Sequence, residues 1–543
     1  MTGKAVPLVG ATLLVASFTV VVTWPQALYM ATKVAEHQDP LFSMWRLAWV
    51  AHALEAAPLD LFNANIFHPA RGTLAFSDAM LLEGLVAAPF HWAGVRPVLV
   101  YNVLLFLGFV GSGCGMYVLA RHLIGSSGPA LVSAAVFTMA PYRIEHFMHL
   151  ELQWAMWVPL TFWALHRAVE QSSWRHGALG GVSFSLQALS CVYYGAFLGL
   201  TLVLFVPLLL VLSKDLLTAR VAYALLAGAA VAFTLTIPYA GVYVAAGESV
   251  GSRDAAEIAR YSARATSFLA GSPRSLIWAW TAPWGGAELN LFPGLTAVLL
   301  AIGAATSATR RWVVLYVSVA VLAVVMAFGS NLWPYGWLLD RVDLLHGLRS
   351  PSRFAIIACA ALAVLAGLGV QSLRNYLSSR ARAQALVVPC AISLMLVDYG
   401  NGGLPLKEPD SRPATVYRTL GDLTPGVVVE LPLPKLDALP GADVLYAAWS
   451  TSHWRPLVNG YSGYHPPEYI RTVARMENFP DDRSIAQLRS LDVRYIIVHR
   501  SLFERETYNA LALRMAARTD LRSWGVFTDP IGPADLFVLE PSP

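Results

Sequence analysis

The chain has 543 residues, of which 56% are hydrophobic and 13% charged, and its mean hydropathy is +0.53. Soluble globular proteins carry charge on roughly a quarter of their residues, and the apolar residues here recur in many separate blocks, so a water-soluble enzyme is excluded. The formal net charge of +4 bears on membrane orientation and not on a nucleic-acid partner.

Residues 5–22 form a first apolar segment behind Lys4. No small-x-small cleavage pattern precedes Trp24-Pro25, so this reads as a retained first span with its lysine in the cytoplasm. Further candidate spans lie near 97–120, 128–142, 150–167, 177–190, 193–213, 219–245, 291–308, 312–329, 354–371 and 384–399. Several fall short of the ~20 residues of a perpendicular crossing. The block 177–213 is too long for one helix, and a tight reversal is expected around Cys191–Gly195. Residues 80–92 are apolar but interrupted by Glu83, Pro89 and His91, and read either as a re-entrant or interfacial helix or as a second span. The fold class expected is a polytopic α-helical membrane protein with 11–13 transmembrane helices.

With the N-terminus inside, short cytoplasmic loops hold Arg121, Arg167, Lys214, Arg310, Arg311 and Arg374 among other cations, against only Glu170 and Asp215 as acids. That is the bias of the positive-inside rule. Loops 25–78, 246–290 and 330–353 then fall outside, as does the C-terminus. Cys114, Cys191, Cys359 and Cys390 all lie in apolar segments, where cysteine behaves as a small hydrophobe, so neither disulfides nor a zinc site are indicated. After a membrane domain over 1–400, residues 401–413 form a linker rich in Gly, Pro and charge. Strands at 427–433, 494–499 and 534–540 alternate with helices at 481–491, capped by Asp481 or Asp482, and 504–518. This makes 414–543 a small soluble α/β domain.

Asp39 lies at the exit of the first span. Two readings stay open: an Asp-Pro step that ends a loop before a helix, or a general base within hydrogen-bond reach of an attacking hydroxyl. Trp45, Arg46 and Trp49 follow on a segment suited to the headgroup level, with Arg46 able to meet phosphate. Asn63, Asn65, His68 and Asp78 form a polar cluster on the same loop. His68-Pro69 is alternatively a turn, and Asp78, the second candidate carboxylate, alternatively an N-cap. Arg143, Glu145, His146, His149 and Glu151 gather between two spans, where polar groups face a bundle interior or a water-filled cavity. Phosphate binding by Arg143, His146 and His149 is favoured over metal binding by the histidines with Asp39 or Glu145, since their spacing matches no strong metal motif. Glu288 precedes an apolar helix and is read as pointing into a cavity. Arg341, Asp343, His346, Arg349 and Arg353 form a further outer set; Arg353 enters a span and needs either a phosphate or a protein carboxylate. Trp454, Asn459 and Tyr461 gather aromatic and hydrogen-bonding groups that suit a sugar or pack near the membrane. No P-loop, dinucleotide glycine pattern, HExxH or esterase elbow occurs, which counts against an ATP-driven pump or a zinc protease.

The order of features from Trp24 to Asp78 resembles the polytopic GT-C glycosyltransferases that use polyprenyl-phosphate-linked donors, including the bacterial lipid A aminoarabinose and protein mannosyl transferase relatives. In that family the first outer loop holds an essential Asp, matched here by Asp39. Pro89, Gly94, Pro97, Tyr101-Asn102 and the run Tyr117–Gly125, ending at Pro141, are similar to the family's early helices and favour 80–92 as a second span. Pro141-Tyr142-Arg143 with His146 and His149, the run Glu288–Gly294, and Pro351-Ser352-Arg353-Phe354 look like bacterial membrane proteins of the same superfamily. The likeness covers the layout of residues 5–400 but only short motifs in letters. Asp39 is followed by Pro40 where the family more usually has acidic or aromatic company, and the family's paired prolines are absent.

The resemblance implies inverting transfer of a sugar from a polyprenyl-phosphate-linked donor to a cell-envelope glycan, lipid or protein, at the extracytoplasmic face of the bacterial cytoplasmic membrane. Asp39 would be the base and Glu288 would orient the acceptor or a cation. Arg143, His146, His149 and Arg353 would hold the donor phosphate, with Arg46, Asp78, His68 and Glu145 as secondary candidates. Trp454, Asn459 and Tyr461 would contact the acceptor or its sugar. No cofactor is required, with a divalent cation left as an option. The alternative function is a transporter, a flippase or a non-catalytic scaffold for envelope polysaccharide assembly. A transporter would show internal repeats and broken helices near the midplane; no repeat is visible.

Overall fold

The computed structural model describes residues 8–213, 218–251, 253–286, 288–339, 341–342, 345, 347–409, 415–529 and 531–541. Lys4, Lys214, Asp215, Asp343 and His346, named above, lie outside the described residues. Six described helices are long and apolar enough to cross a membrane: Pro97–Ile124, Val192–Leu212, Ala219–Val250, Arg310–Ala327, Pro351–Tyr376 and Ala381–Asp398. The sequence windows give 11–13, and two further apolar helices, Leu8–Val22 and Leu295–Thr306, are shorter than these six. The other apolar windows fold as shorter helices, among them Leu8–Val22, Ser127–Met139, Trp157–Glu170, Trp174–Ser190 and Leu295–Ile302. Breakers divide several of the apolar windows into shorter helices. The expected span 150–167 contains a short helix Leu150–Gln153 and a fresh start at Trp157, with Pro159 in the first turn.

The chain clusters into two compact units. One comprises Met1–Ala35, Tyr101–Ala240 and Ser252–Leu406, the other Glu36–Val100, Gly241–Gly251 and Lys407–Pro543. The first outer loop therefore groups with the C-terminal residues, a border that a linear reading at residue 400 does not draw.

In the first unit the central helix is Pro351–Tyr376, which packs against Ser127–Met139, Leu295–Ile302 and Arg310–Ala327. Its Ala- and Gly-rich run Ala355–Val370 is almost wholly buried. The expected reversal is present: Cys191, extended at φ −143° and ψ 112°, separates Trp174–Ser190 from Val192–Leu212. Helices in lipid gain little from hydrophobic burial and associate through close backbone packing at small residues. Gly181 illustrates this, since a Cβ there would sit 2.2 Å from the carbonyl oxygen of Gly228. Gly181→Val should therefore force the two helices apart and cost on the order of 1–3 kcal/mol, read as a lower thermal midpoint in detergent. An unchanged midpoint would refute the close approach.

The second unit holds a four-stranded sheet of β1 (Val427–Leu431), β2 (Val493–His499), β3 (Leu521–Asp529) and β4 (Gly532–Leu539), in the order β1-β2-β4-β3. β1 and β2 are parallel; β4 is antiparallel to both neighbours. Alternate residues feed two cores, with Val429, Ile496 and Val498 in one and Val428, Tyr495 and Ile497 in the other. The helix Asp482–Ser490 carries the expected cap, Asp481 accepting from the Ser484 N–H at 2.8 Å.

The helix Asp39–Ala56 packs against Leu81–Trp92 and against Asp443–Ser450. Leu81–Trp92 has 12 residues, about 18 Å at 1.5 Å per residue, too short for a ~30 Å hydrocarbon core. It is thus no second span. Between these helices, residues 65–68 run beside 457–459: Leu457 N–H donates to Asn65 O at 2.8 Å, and His68 N–H to Leu457 O at 2.9 Å.

Candidate active site

Asp39 opens its helix with Pro40 in the first turn, where a missing N–H costs no hydrogen bond. A carboxylate is favoured there by unpaired amides and the helix dipole. Oδ1 accepts from the Tyr461 hydroxyl at 2.9 Å, and Oδ2 lies 3.1 Å from His37 Nδ1. Tyr461 in turn stands edge-on to Phe42, with ring centroids 4.9 Å apart. The Asp39 side chain is 16% exposed, so it is open to solvent while both oxygens are oriented. Tyr461, expected at the acceptor, holds the candidate base instead.

The neighbouring candidates of this unit are scaffolding. Arg46 is buried, donating to the Asp78 carbonyl at 2.6 Å and to Ser43 at 3.0 Å, with its guanidinium over the Phe42 ring. It closes the loop and is not placed as a phosphate ligand. Asp78 is also buried, and the N-cap position of the following helix is Met80. His68 is half-buried and forms part of the 65–68 pairing; burial, offset partly by Asp492, holds its imidazole below the usual value.

Asn459 is fully buried, its amide linking Glu430 N at 2.8 Å, Glu430 O at 3.0 Å and Asp443 Oδ1 at 3.0 Å, so it does not reach an acceptor. Burial pushes Asp443 up to about 7, against the lowering effect of hydrogen bonds from Tyr469 and Asn459. The unfolded chain ionises near pH 4 and the folded one only near 7, so stability falls across that interval and levels off above it. Asp443→Asn should flatten the fall. The check is the thermal midpoint of the full chain at pH 5 and pH 8; equal slopes for both proteins would contradict it.

In the first unit Glu288 lies at φ +61°, in the left-handed region that a non-glycine residue rarely adopts. Its Oε2 accepts from Arg353 Nε and its Oε1 from a terminal nitrogen, both at 3.1 Å, with Ser350 adding a third bond at 3.1 Å. Burial raises the Glu288 carboxyl, but Arg353, His146, His149 and Arg349 together hold it well below the usual carboxylate range. The open question about Arg353 thus resolves to a protein carboxylate, in a bidentate pair above the Tyr193 ring.

Arg349, which stood outside the expected phosphate set, is looser. Its terminal nitrogens lie 3.8 Å from Glu288 and 3.8 Å from Glu257, and its side chain is 28% exposed. The guanidinium also covers the Tyr261 ring at 4.9 Å. The sequence signal was the density of arginines from 341 to 353, which does not say which one is committed elsewhere.

Arg143 is corrected more firmly. It is fully buried and donates to Gln153 O at 2.9 Å, to Ser112 at 3.2 Å and to the Phe137 and Gly108 carbonyls at 3.4 Å. Burial lowers it to about 10, so it remains charged while tying helices together. His146 is buried, with Nδ1 2.9 Å from Tyr142 O and, among the described residues, no hydrogen-bond partner at Nε2. Burial leads in lowering it to about 4, which leaves a neutral ring with an accepting Nε2, the wrong polarity for phosphate. His149 is half-buried at the start of Leu150–Gln153, with its ring 6.1 Å from that of His146. Glu145 accepts from Ser272 at 2.5 Å and pairs with Arg274 at 3.2 Å. Among the described residues, no group of three or more His, Cys, Asp or Glu side chains is arranged to hold a metal ion.

No family model matches the sequence, and no curated protein matches it. Solved structures do match. The arabinofuranosyltransferase AftD from Mycobacteria aligns with 99% of this chain and 40% of its own at 13% identity, with a TM-score of 0.62. This chain thus spans well under half of that protein. The archaeal oligosaccharyltransferase AglB from Archaeoglobus fulgidus, solved with an inhibitory peptide and a dolichol-phosphate, aligns over 95% of this chain and 73% of its own at 12% identity, with a TM-score of 0.53. The chain is a polytopic membrane protein with the fold of the GT-C glycosyltransferases.

Proposed function

We propose that the chain transfers a sugar, with inversion, from a polyprenyl-phosphate-linked donor to a cell-envelope glycan, lipid or protein on the extracytoplasmic side of a bacterial cytoplasmic membrane. The observation that carries this reading is the Asp39 carboxylate, solvent-accessible and oriented through both oxygens by Tyr461 and His37. The acceptor hydroxyl gives its proton to Asp39 as its oxygen bonds to the sugar C1. The bond from C1 to the phosphate oxygen breaks on the opposite face, and the electron pair leaves with the lipid phosphate. Such a leaving group needs positive charge more than a proton. The GT-C fold supports the reading, as does the dolichol-phosphate found with one protein of that fold.

The test incubates purified chain with a panel of polyprenyl-phosphate sugars and candidate acceptors, following free lipid phosphate by mass spectrometry. Acceptor-dependent release with one donor is expected; no release with any donor would overturn the reading.

A further inference from the structure

A groove of about 320 Å³ runs along the helix Asp39–Ala56 within the second unit. One wall is the stripe Trp45, Ala48, His52 and Glu55, spaced as one face of a helix. The other wall comes from His91 and Trp92, at the end of Leu81–Trp92, and from Thr451 and Trp454, just beyond Asp443–Ser450. Trp454 sits at φ +53°, a conformation rare for a bulky residue. Its indole stacks on His52 with ring centroids 4.5 Å apart and planes 10° apart, and meets Trp49 edge-on at 5.6 Å. Trp92 is 56% exposed, whereas Trp45 is buried with its indole N–H lacking a hydrogen-bond partner.

Flat aromatic faces therefore alternate with hydrogen-bonding groups. Burial lowers both His52 and His91 from the usual value, with Glu55 partly offsetting it at His52. Each ring is uncharged at neutral pH and can both donate and accept. Among the described residues the lining contains one acid, Glu55, and no lysine or arginine, so no described group there compensates a phosphate. An isoprenoid chain would leave the histidines and Glu55 facing hydrocarbon, at the cost of unpaired polar groups. A sugar ring presents C–H faces to stack on indole and hydroxyls to both donate and accept, and the volume suits a small ligand.

We propose that this groove binds a neutral oligosaccharide, stacked on Trp92 and Trp454 with its hydroxyls bonded to His52, His91 and Glu55. That the oligosaccharide is the acceptor rests on the transferase reading; that it binds does not.

The test titrates intact chain in lipid nanodiscs with neutral gluco-, manno-, galacto- and arabino-oligosaccharides, read by tryptophan fluorescence and calorimetry. Trp92→Ala and Glu55→Gln, both at exposed positions, are measured beside it. At least one oligosaccharide should bind saturably, weakened tenfold or more by Trp92→Ala and about threefold by Glu55→Gln, and farnesol should not compete. Absence of binding across the panel, wild-type affinity in Trp92→Ala, or displacement by farnesol would overturn the proposal. Oligosaccharide binding without transfer from any donor would remove the transferase reading and leave the groove assignment standing. Transfer with an unchanged acceptor KM in Trp92→Ala would do the reverse.

Discussion

Asp39→Asn should lower kcat by about 10²–10⁴-fold, the usual contribution of a positioned general base, and leave donor affinity close to that of the parent. The amide keeps an oxygen to accept from Tyr461, which lies 2.9 Å from Oδ1, so the helix start and its contact with Tyr461 should persist. What disappears is the capacity to take a proton from the attacking hydroxyl. Asp39→Glu retains that capacity but displaces it by one methylene, so partial activity is expected. Comparison of kcat and donor KM for the two variants, with circular dichroism as the folding check, decides the matter. Full turnover in folded Asp39→Asn would remove Asp39 from the chemistry.

Arg353→Leu should destabilise the membrane unit by about 3 kcal/mol, the low end of the range for breaking a buried ion pair, because the Glu288 side chain is 17% exposed. The variant leaves Glu288 with the Ser350 hydrogen bond, Arg349 at 3.8 Å and the nearby His146 and His149. Replacing both members, Glu288→Leu with Arg353→Leu, should recover much of the loss, since the cost lies in the abandoned charge. Arg349→Ala should behave differently, with near-parental stability, because its pairs with Glu257 and Glu288 are 3.8 Å long. Thermal midpoints of the four proteins separate the two arginines. An Arg353→Leu protein as stable as the parent, or an Arg349→Ala protein destabilised as much as Arg353→Leu, would contradict these structural roles.

The membrane class, the break at Cys191, the Asp481 cap and three of the four strands in the β1-β2-β4-β3 sheet were legible because each follows from local pattern. β3 escaped notice because it mixes exposed Arg522, Ser523 and Trp524 with Gly525, where its register shifts. The sequence named candidate residues for a site but could not show what each side chain is committed to. Arg143, Arg349 and Arg353 look alike in sequence; only tertiary contacts show Arg143 held by carbonyls, Arg353 by Glu288, and Arg349 more loosely. Asn459 and Tyr461 stand two residues apart, yet one is enclosed by Glu430 and Asp443 while the other reaches Asp39. Pairings across 422 residues, as between Tyr461 and Asp39, leave no periodic signal.

The central claim is that a bond between sugar and lipid phosphate breaks on this protein. Proteoliposomes containing the purified chain, supplied with acceptor and a donor labelled separately in its sugar and its polyprenyl moiety, measure this directly. Separation of the two labels, with sugar on the acceptor and lipid recovered as free phosphate, is the predicted result. Labels that stay together while the intact donor moves between leaflets would contradict it and establish transport.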